Sequence, residues 1–317
     1  MPLTFILNGY FRSGTTVMYK LIKDSNPDKI VFYEPLHDKL FSFLGNHKIG
    51  QIDKAHNMCL WDEYFLQGEE FIDTLRERHP CTGQLFSIDS LKVINYLDIF
   101  HNLPKDVILQ PNRMHFVLGK IAQHYKIPCT HMIRNFLDSY LDIINTYRQK
   151  RSKEVVFIAD ILRKFNLLPL KKAFAADKGL EFIFEYFGKP PKWADIAFKI
   201  AHYNDTLGIY LVNWTITNYV AIKQLEKYGG FLLIYEDLVS NPSKVFDELG
   251  QISGLGFKKE FANMISKKFT YKYDSQLVKR LKDKIREYQI EPEYNLSLIH
   301  ISEPTRPLYI SYAVFCL

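Results

Sequence analysis

The 317-residue sequence has only four cysteines, and none is placed to staple or to ligate. Cys59, Cys81, Cys129 and Cys316 show no C-x-x-C spacing and no histidine in ligand register, which excludes a disulfide framework and a zinc site of the usual pattern. Reduced thiols of a cytoplasmic protein are the expectation. Long apolar runs are missing too. Nothing approaches the roughly 18 residues that a membrane span requires, and the start enters a strand pattern with no signal-peptide layout, so no membrane association is expected. There is no internal repeat, no low-complexity tract and no Lys/Arg block. The net charge of +6 therefore reads as a scattered solvated surface, and no nucleic-acid partner is expected. What is abundant is core material. With 47% hydrophobic and 15% aromatic residues, a chain of this length can bury a large core without covalent help.

The pattern is that of an α/β protein: short apolar runs bounded by turn residues alternate with stretches at helical spacing. The strand candidates are Leu3–Leu7, Ile30–Tyr33, Val107–Gln110, Cys129–Ile133 and Phe231–Tyr235. Continuous apolar runs of this kind belong to a parallel sheet covered by helices on both faces. Residues 38–104 and 149–192 read as insertions or lid-like helical segments of a single domain spanning 1–295, and a long helical pattern runs from Trp193 to Tyr228. The final stretch, Leu296 to Leu317, includes LSLIHISEPTR and reads as a translated sequencing adapter, so the natural chain is expected to end near Asn295.

The chemistry concentrates in Leu3 to Lys20, LTFILNGYFRSGTTVMYK, where a strand, a glycine loop and a helix follow in order. Such a loop aims backbone N–H groups and the positive helix end at one point, suited to a phosphate or sulfate. Ser13, Gly14, Thr15 and Thr16 line it, and Arg12 adds a guanidinium fork matched to a tetrahedral anion. Gly9 to Gly14 has the spacing of a Walker A loop, but Thr15 fills the lysine position. That departure argues against an ordinary magnesium-dependent kinase.

RSGTT directly after a strand resembles the 5′-phosphosulfate loop of the sulfotransferase family, in a variant with Arg in place of Lys. Three further blocks in the same order share the resemblance: FYEPLHD at Phe32–Asp38, Arg134-Asn135 with Asp138, and YEDL at Tyr235–Leu238. The resemblance implies a P-loop NTPase-like fold and 3′-phosphoadenosine 5′-phosphosulfate as co-substrate, with no metal. It implies transfer of a sulfuryl group to an acceptor hydroxyl on a small molecule or glycan. Glu34, at a strand end, is then the leading general base with His37 second, and Arg12 stabilises the departing nucleotide. Arg134 and Ser139 are assigned to the 3′-phosphate. Two positions depart from that last motif: Phe136 replaces a proline, and Asp142 stands where a phosphate-binding serine is expected. An ionised carboxylate repels phosphate. A P-loop kinase-like phosphotransferase and a non-catalytic nucleotide-binding protein remain the alternatives.

Overall fold

A computed structural model of the protein describes residues 2–53, 57–80, 89–149, 206–265 and 275–287. The expected insertion at 149–192 beyond its first residue, residues 193–205 of the expected 193–228 helix and the whole 296–317 segment lie outside the described residues. The chain gathers into two compact units: residues up to 133 together with those from 220 to 268 form the first, and residues 134–219 with 269–308 form the second.

The first unit is built on a five-stranded sheet, β1 (Leu3–Gly9), β2 (Ile30–Tyr33), β3 (Val107–Gln110), β4 (Cys129–Ile133) and β5 (Phe231–Ile234), in the order β2-β3-β1-β4-β5. All four pairings are parallel. This is the central parallel sheet with flanking helices expected from the sequence, and β2, β3 and β4 keep the expected boundaries. Burial on both faces explains why the strands are apolar without alternation: Phe5, Ile6 and Leu7 of β1 and Val107 to Leu109 of β3 are all sealed from solvent.

α1 (Thr15–Ser25) buries Met18, Tyr19, Leu21 and Ile22 and returns the chain to β2. Between β2 and β3 lie α2 (Leu40–Asn46), α3 (Asp62–Leu66), α4 (Glu69–Arg78) and α5 (Ser90–His101). The Asp89 carboxylate caps α5 by accepting from the Leu91 and Lys92 N–H groups at 3.0 and 3.1 Å. α6 (Leu118–Tyr125) joins β3 to β4. Before it, the Met114 N–H donates to the Asn8 side chain at 3.2 Å and a turn closes from the Val117 N–H to the Met114 carbonyl at 3.0 Å. After β5, α9 (Tyr235–Ser240) takes Tyr235 out of the strand. α10 (Pro242–Ser253) opens on Asn241 with Pro at its first position and closes on Gly254 in the left-handed conformation, the arrangement its sequence announces. α11 (Glu260–Ile265) follows.

In the second unit, α7 (Phe136–Gln149) and α12 (Ser275–Glu287) are described, and α8 (Thr206–Tyr228) contributes its residues as far as Tyr219. Phe136 packs against Tyr210 and Trp214, with ring centroids 5.3 and 5.8 Å apart. Trp214 is thus a core residue.

Candidate functional site

The chain steps outward from β1 to β2 on one side of the sheet and, after β3, to β4 and β5 on the other. In open parallel sheets, ligands bind beyond the carboxyl ends of the strands where the order reverses in this way. Here that edge is also where backbone strain collects. Five described non-glycine residues have positive φ, and three of them lie within three residues of the ends of adjacent strands: Arg12 (65°) after β1, Glu34 (42°) after β2 and Asn112 (53°) after β3. Each such conformation costs on the order of 1–3 kcal/mol and persists where surrounding contacts impose it.

After β1 the chain turns tightly, with the Ser13 N–H and hydroxyl both donating to the Tyr10 carbonyl at 3.1 and 2.6 Å. Only glycine fits at position 9. A Cβ there would lie 2.5 Å from Thr15 Cγ2, 2.8 Å from Ser13 Oγ and 2.9 Å from the Met132 carbonyl oxygen. Gly14 precedes α1 with φ +98°, no side chain caps the helix, and its first turn holds no acidic residue. The initial N–H groups of α1 have no intrahelical acceptors, so their positive end is set for an anion. Arg12 is exposed on this loop. The hydroxyls behave differently from expectation. Ser13 is buried with its proton on Tyr10, Thr15 is buried beneath the loop, and Thr16 Oγ1 lies 3.0 Å from the Tyr33 hydroxyl. The three hydroxyls are thus turned into the protein, and Arg12 is the exposed side chain of the loop.

Glu34 follows β2 by one residue, and its N–H is fixed to the Gln110 carbonyl at 2.8 Å. Its carboxylate accepts from Asn112 Nδ2 at 3.0 Å on one oxygen and from Arg113 Nη1 at 2.8 Å on the other. Burial pushes this carboxyl up, but Arg113, His37 and Asn112 more than offset it and hold it below its ordinary value. Glu34 is ionised at neutral pH.

His37 Nε2 stands 3.6 Å from the same Glu34 oxygen, and Nδ1 lies 3.0 Å from Asp38 Oδ1. Burial and the Arg113 charge bring the His37 pKa to about 4, against the upward pull of Glu34 and Asp38. The ring is therefore neutral at neutral pH. Two contacts meet at Nδ1 and call for opposite tautomers: the Lys39 N–H donates to it at 3.0 Å, and Asp38 Oδ1 lies 3.0 Å away as an acceptor.

In the second unit, Arg134 is buried with Nη1 2.6 Å from Asp142 and Nη2 4.0 Å from Asp138. Asn135 caps α7 through its Oδ1, accepting from the Leu137 and Asp138 N–H groups. Ser139 Oγ is buried without a partner. The charge assigned to a 3′-phosphate is thus already met by the carboxylate that replaces the expected serine.

Two groups of residues enter the site that the sequence did not disclose. One is the pairing of Asn112 and Arg113 with Glu34: the resemblance places these two where a lysine-containing motif lines the donor and acceptor sites, with Arg113 a candidate to hold their charge, and not on the base. The other is Asn8, whose Nδ2 lies 3.3 Å from His115 Nδ1 and 3.0 Å from His131 Nδ1 while its Oδ1 accepts from Met114. One buried amide thereby ties the end of β1 to β4 and to the loop after β3. No signal in the sequence distinguishes Asn8 from an ordinary strand terminator.

The fold and this edge define the molecule as a parallel α/β protein with a glycine loop at a helix N-terminus beside a charged carboxylate clamp. No family model matches the chain. It is 31% identical over 288 residues to an uncharacterized protein of Archaeoglobus fulgidus, an alignment covering 84% of this chain and 88% of that one, and it belongs to the same family as that archaeal protein.

Proposed function

We propose that the protein is a sulfotransferase that moves a sulfuryl group from 3′-phosphoadenosine 5′-phosphosulfate to an acceptor hydroxyl, with a carbohydrate as the favoured acceptor class. The observation that carries this reading is the ionised Glu34 carboxylate, locked by Asn112 and Arg113, on the strand-end edge that also holds the glycine loop. A fixed carboxylate next to an anion-binding loop is what removal of a hydroxyl proton during transfer to that hydroxyl requires. In the reaction, the acceptor oxygen bonds to sulfur as its proton passes to Glu34. The bond from sulfur to the bridging oxygen breaks, and its electron pair leaves on the phosphate of 3′,5′-bisphosphoadenosine. Arg12 and the loop N–H groups stabilise that charge. Positioning and electrostatics supply most of the rate, by analogy with phosphoryl transfer.

Residue chemistry sets the kinase-like alternative lower. Thr15 stands in the place of the loop lysine, and β3, the neighbour of the loop strand, ends in the amide of Gln110 rather than in a carboxylate suited to magnesium. For the donor's 3′-phosphate, the resemblance assigns Arg134 and Ser139, and Asp142, which pairs with Arg134, opposes a phosphate there by its charge.

Glu34→Gln tests the proposal. Mass spectrometry of hydroxylated acceptors incubated with the donor should show turnover reduced roughly a hundred- to ten-thousand-fold, while calorimetry with 3′,5′-bisphosphoadenosine shows affinity within a few-fold. His37→Gln is the companion variant, and the larger loss belongs to Glu34. Full turnover in Glu34→Gln would sink the assignment.

A further inference from the structure

Arg113 is only 4% exposed, and two other segments share its guanidinium. Nη1 donates to Glu34 Oε2 at 2.8 Å after β2, and Nη2 lies 3.6 Å from Asp38 Oδ1 nearer the surface. Its central carbon sits 5.2 Å from the centre of the Phe11 ring, which belongs to the glycine loop. Nε has no partner, so these contacts are what orient the fork. A planar guanidinium held on one face by an aromatic ring and along an edge by a carboxylate has little freedom to rotate. Asn112 fixes the second carboxylate oxygen from the same loop, in a left-handed conformation that its side-chain contact helps to impose.

We infer that Arg113 is a positioning residue that sets the Glu34 carboxylate for its acceptor and takes its own orientation from Phe11, so that the anion loop and the base are mechanically joined. This rests on the sulfotransferase reading of Glu34 given above. The join is direct: loop ring, guanidinium and carboxylate are consecutive contacts. Other groups also face Glu34. His37 and Asp38 come from its own segment, and the Tyr33 and Tyr64 hydroxyls come from β2 and α3. Both tyrosines are raised well above their ordinary value by burial, the largest cause, with the Glu34 charge adding to it, so they stay neutral and leave Arg113 as the cation that the carboxylate meets.

The test begins with the protein lacking donor and acceptor. Carbon-13 NMR of the side-chain carboxyls, with Glu34 assigned by its loss in Glu34→Gln, should place its midpoint below the ordinary glutamate value. Arg113→Met should raise that midpoint by about one to three pH units. Arg113→Lys, which keeps charge but loses the fork, should raise it less, and Phe11→Leu should move it in the same direction. In the transfer assay the acid limb of the turnover profile should shift in the same order, with affinity for 3′,5′-bisphosphoadenosine held within a few-fold. Circular dichroism establishes that each variant is folded, and if Arg113→Met is not, Arg113→Lys carries the comparison. A Glu34 midpoint that ignores both Arg113 variants overturns the inference. So does turnover lost with the acid limb unmoved. If the midpoints move as expected but the wild-type protein transfers no sulfuryl group to any acceptor, the functional reading falls, and the assignment of Glu34 as a base falls with it.

Discussion

Among the side chains of residues 10–16, Arg12 alone is exposed, while Tyr10, Ser13 and Thr15 are sealed beneath the loop. That division gives Arg12→Ala a specific expectation. Affinity for 3′,5′-bisphosphoadenosine should fall roughly ten- to a hundred-fold, about 1.5–3 kcal/mol for a charge-assisted bond, with little change in folding stability. Calorimetry together with a denaturation curve separates the two, and unchanged affinity would mean that the loop serves a different ligand. The sequence showed the residue types of this loop correctly but not their orientations. A serine beside a glycine reads as a donor, whereas the turn consumes the Ser13 proton on Tyr10. Glu34 was legible because a carboxylate ended an apolar run. Its partner Arg113 was not, because that ion pair joins residues 79 positions apart and depends on the parallel register that sets Tyr33 beside Gln110.

At the level of elements, the strands were legible because a buried parallel strand leaves a short, uninterrupted apolar run between turn residues. Helix starts were less so. The segment before α6 is a turn tied to β1 through Asn8 and Met114, a long-range contact that no local pattern encodes. The entry to α1 yields a sharper test. Gly14 has φ +98°, and a Cβ there would meet the Tyr235 ring at 2.7 Å. Gly14→Ala should therefore cost at least about 1 kcal/mol and weaken anion binding at the same time. Gly45, inside α2 with nothing within 4 Å of its absent Cβ, is the contrast. Gly45→Ala should stabilise by about 0.5–1 kcal/mol through the helix backbone alone. Urea denaturation of the two variants checks both signs.

Across the molecule, several histidines share one electrostatic habit. Burial first, then the Arg113 charge, brings His37 to about 4. Burial outweighs the bond to Pro35 and brings His79 to about 4, and His115 is driven well below 6.5 by burial and by His131. A folded-state pKa depressed below the unfolded value means that the unfolded chain takes up protons first as pH falls. Stability should accordingly be fully present above about pH 6.5 and decline toward pH 4, each such histidine adding a slope of up to about 1.4 kcal/mol per pH unit. Glu34, also depressed, extends the decline at lower pH as its clamp is neutralised. Denaturation midpoints across that range should show a shallower slope in His79→Gln, and an unaltered slope would rule His79 out as a contributor. The sheet order has a consequence of another kind, in the time of synthesis. Leu3 pairs with Val107 and Ile6 with Cys129, while β2 finds its partner only in β3. None of the first hundred or so residues can therefore enter the sheet as they leave the ribosome. At roughly 5–20 residues per second, the central strand spends about 5–20 seconds exposed as an apolar ribbon before its first neighbour exists. The strand that carries the anion loop is thus the one with the longest wait, and the one for which a chaperone holding nascent chains would matter most.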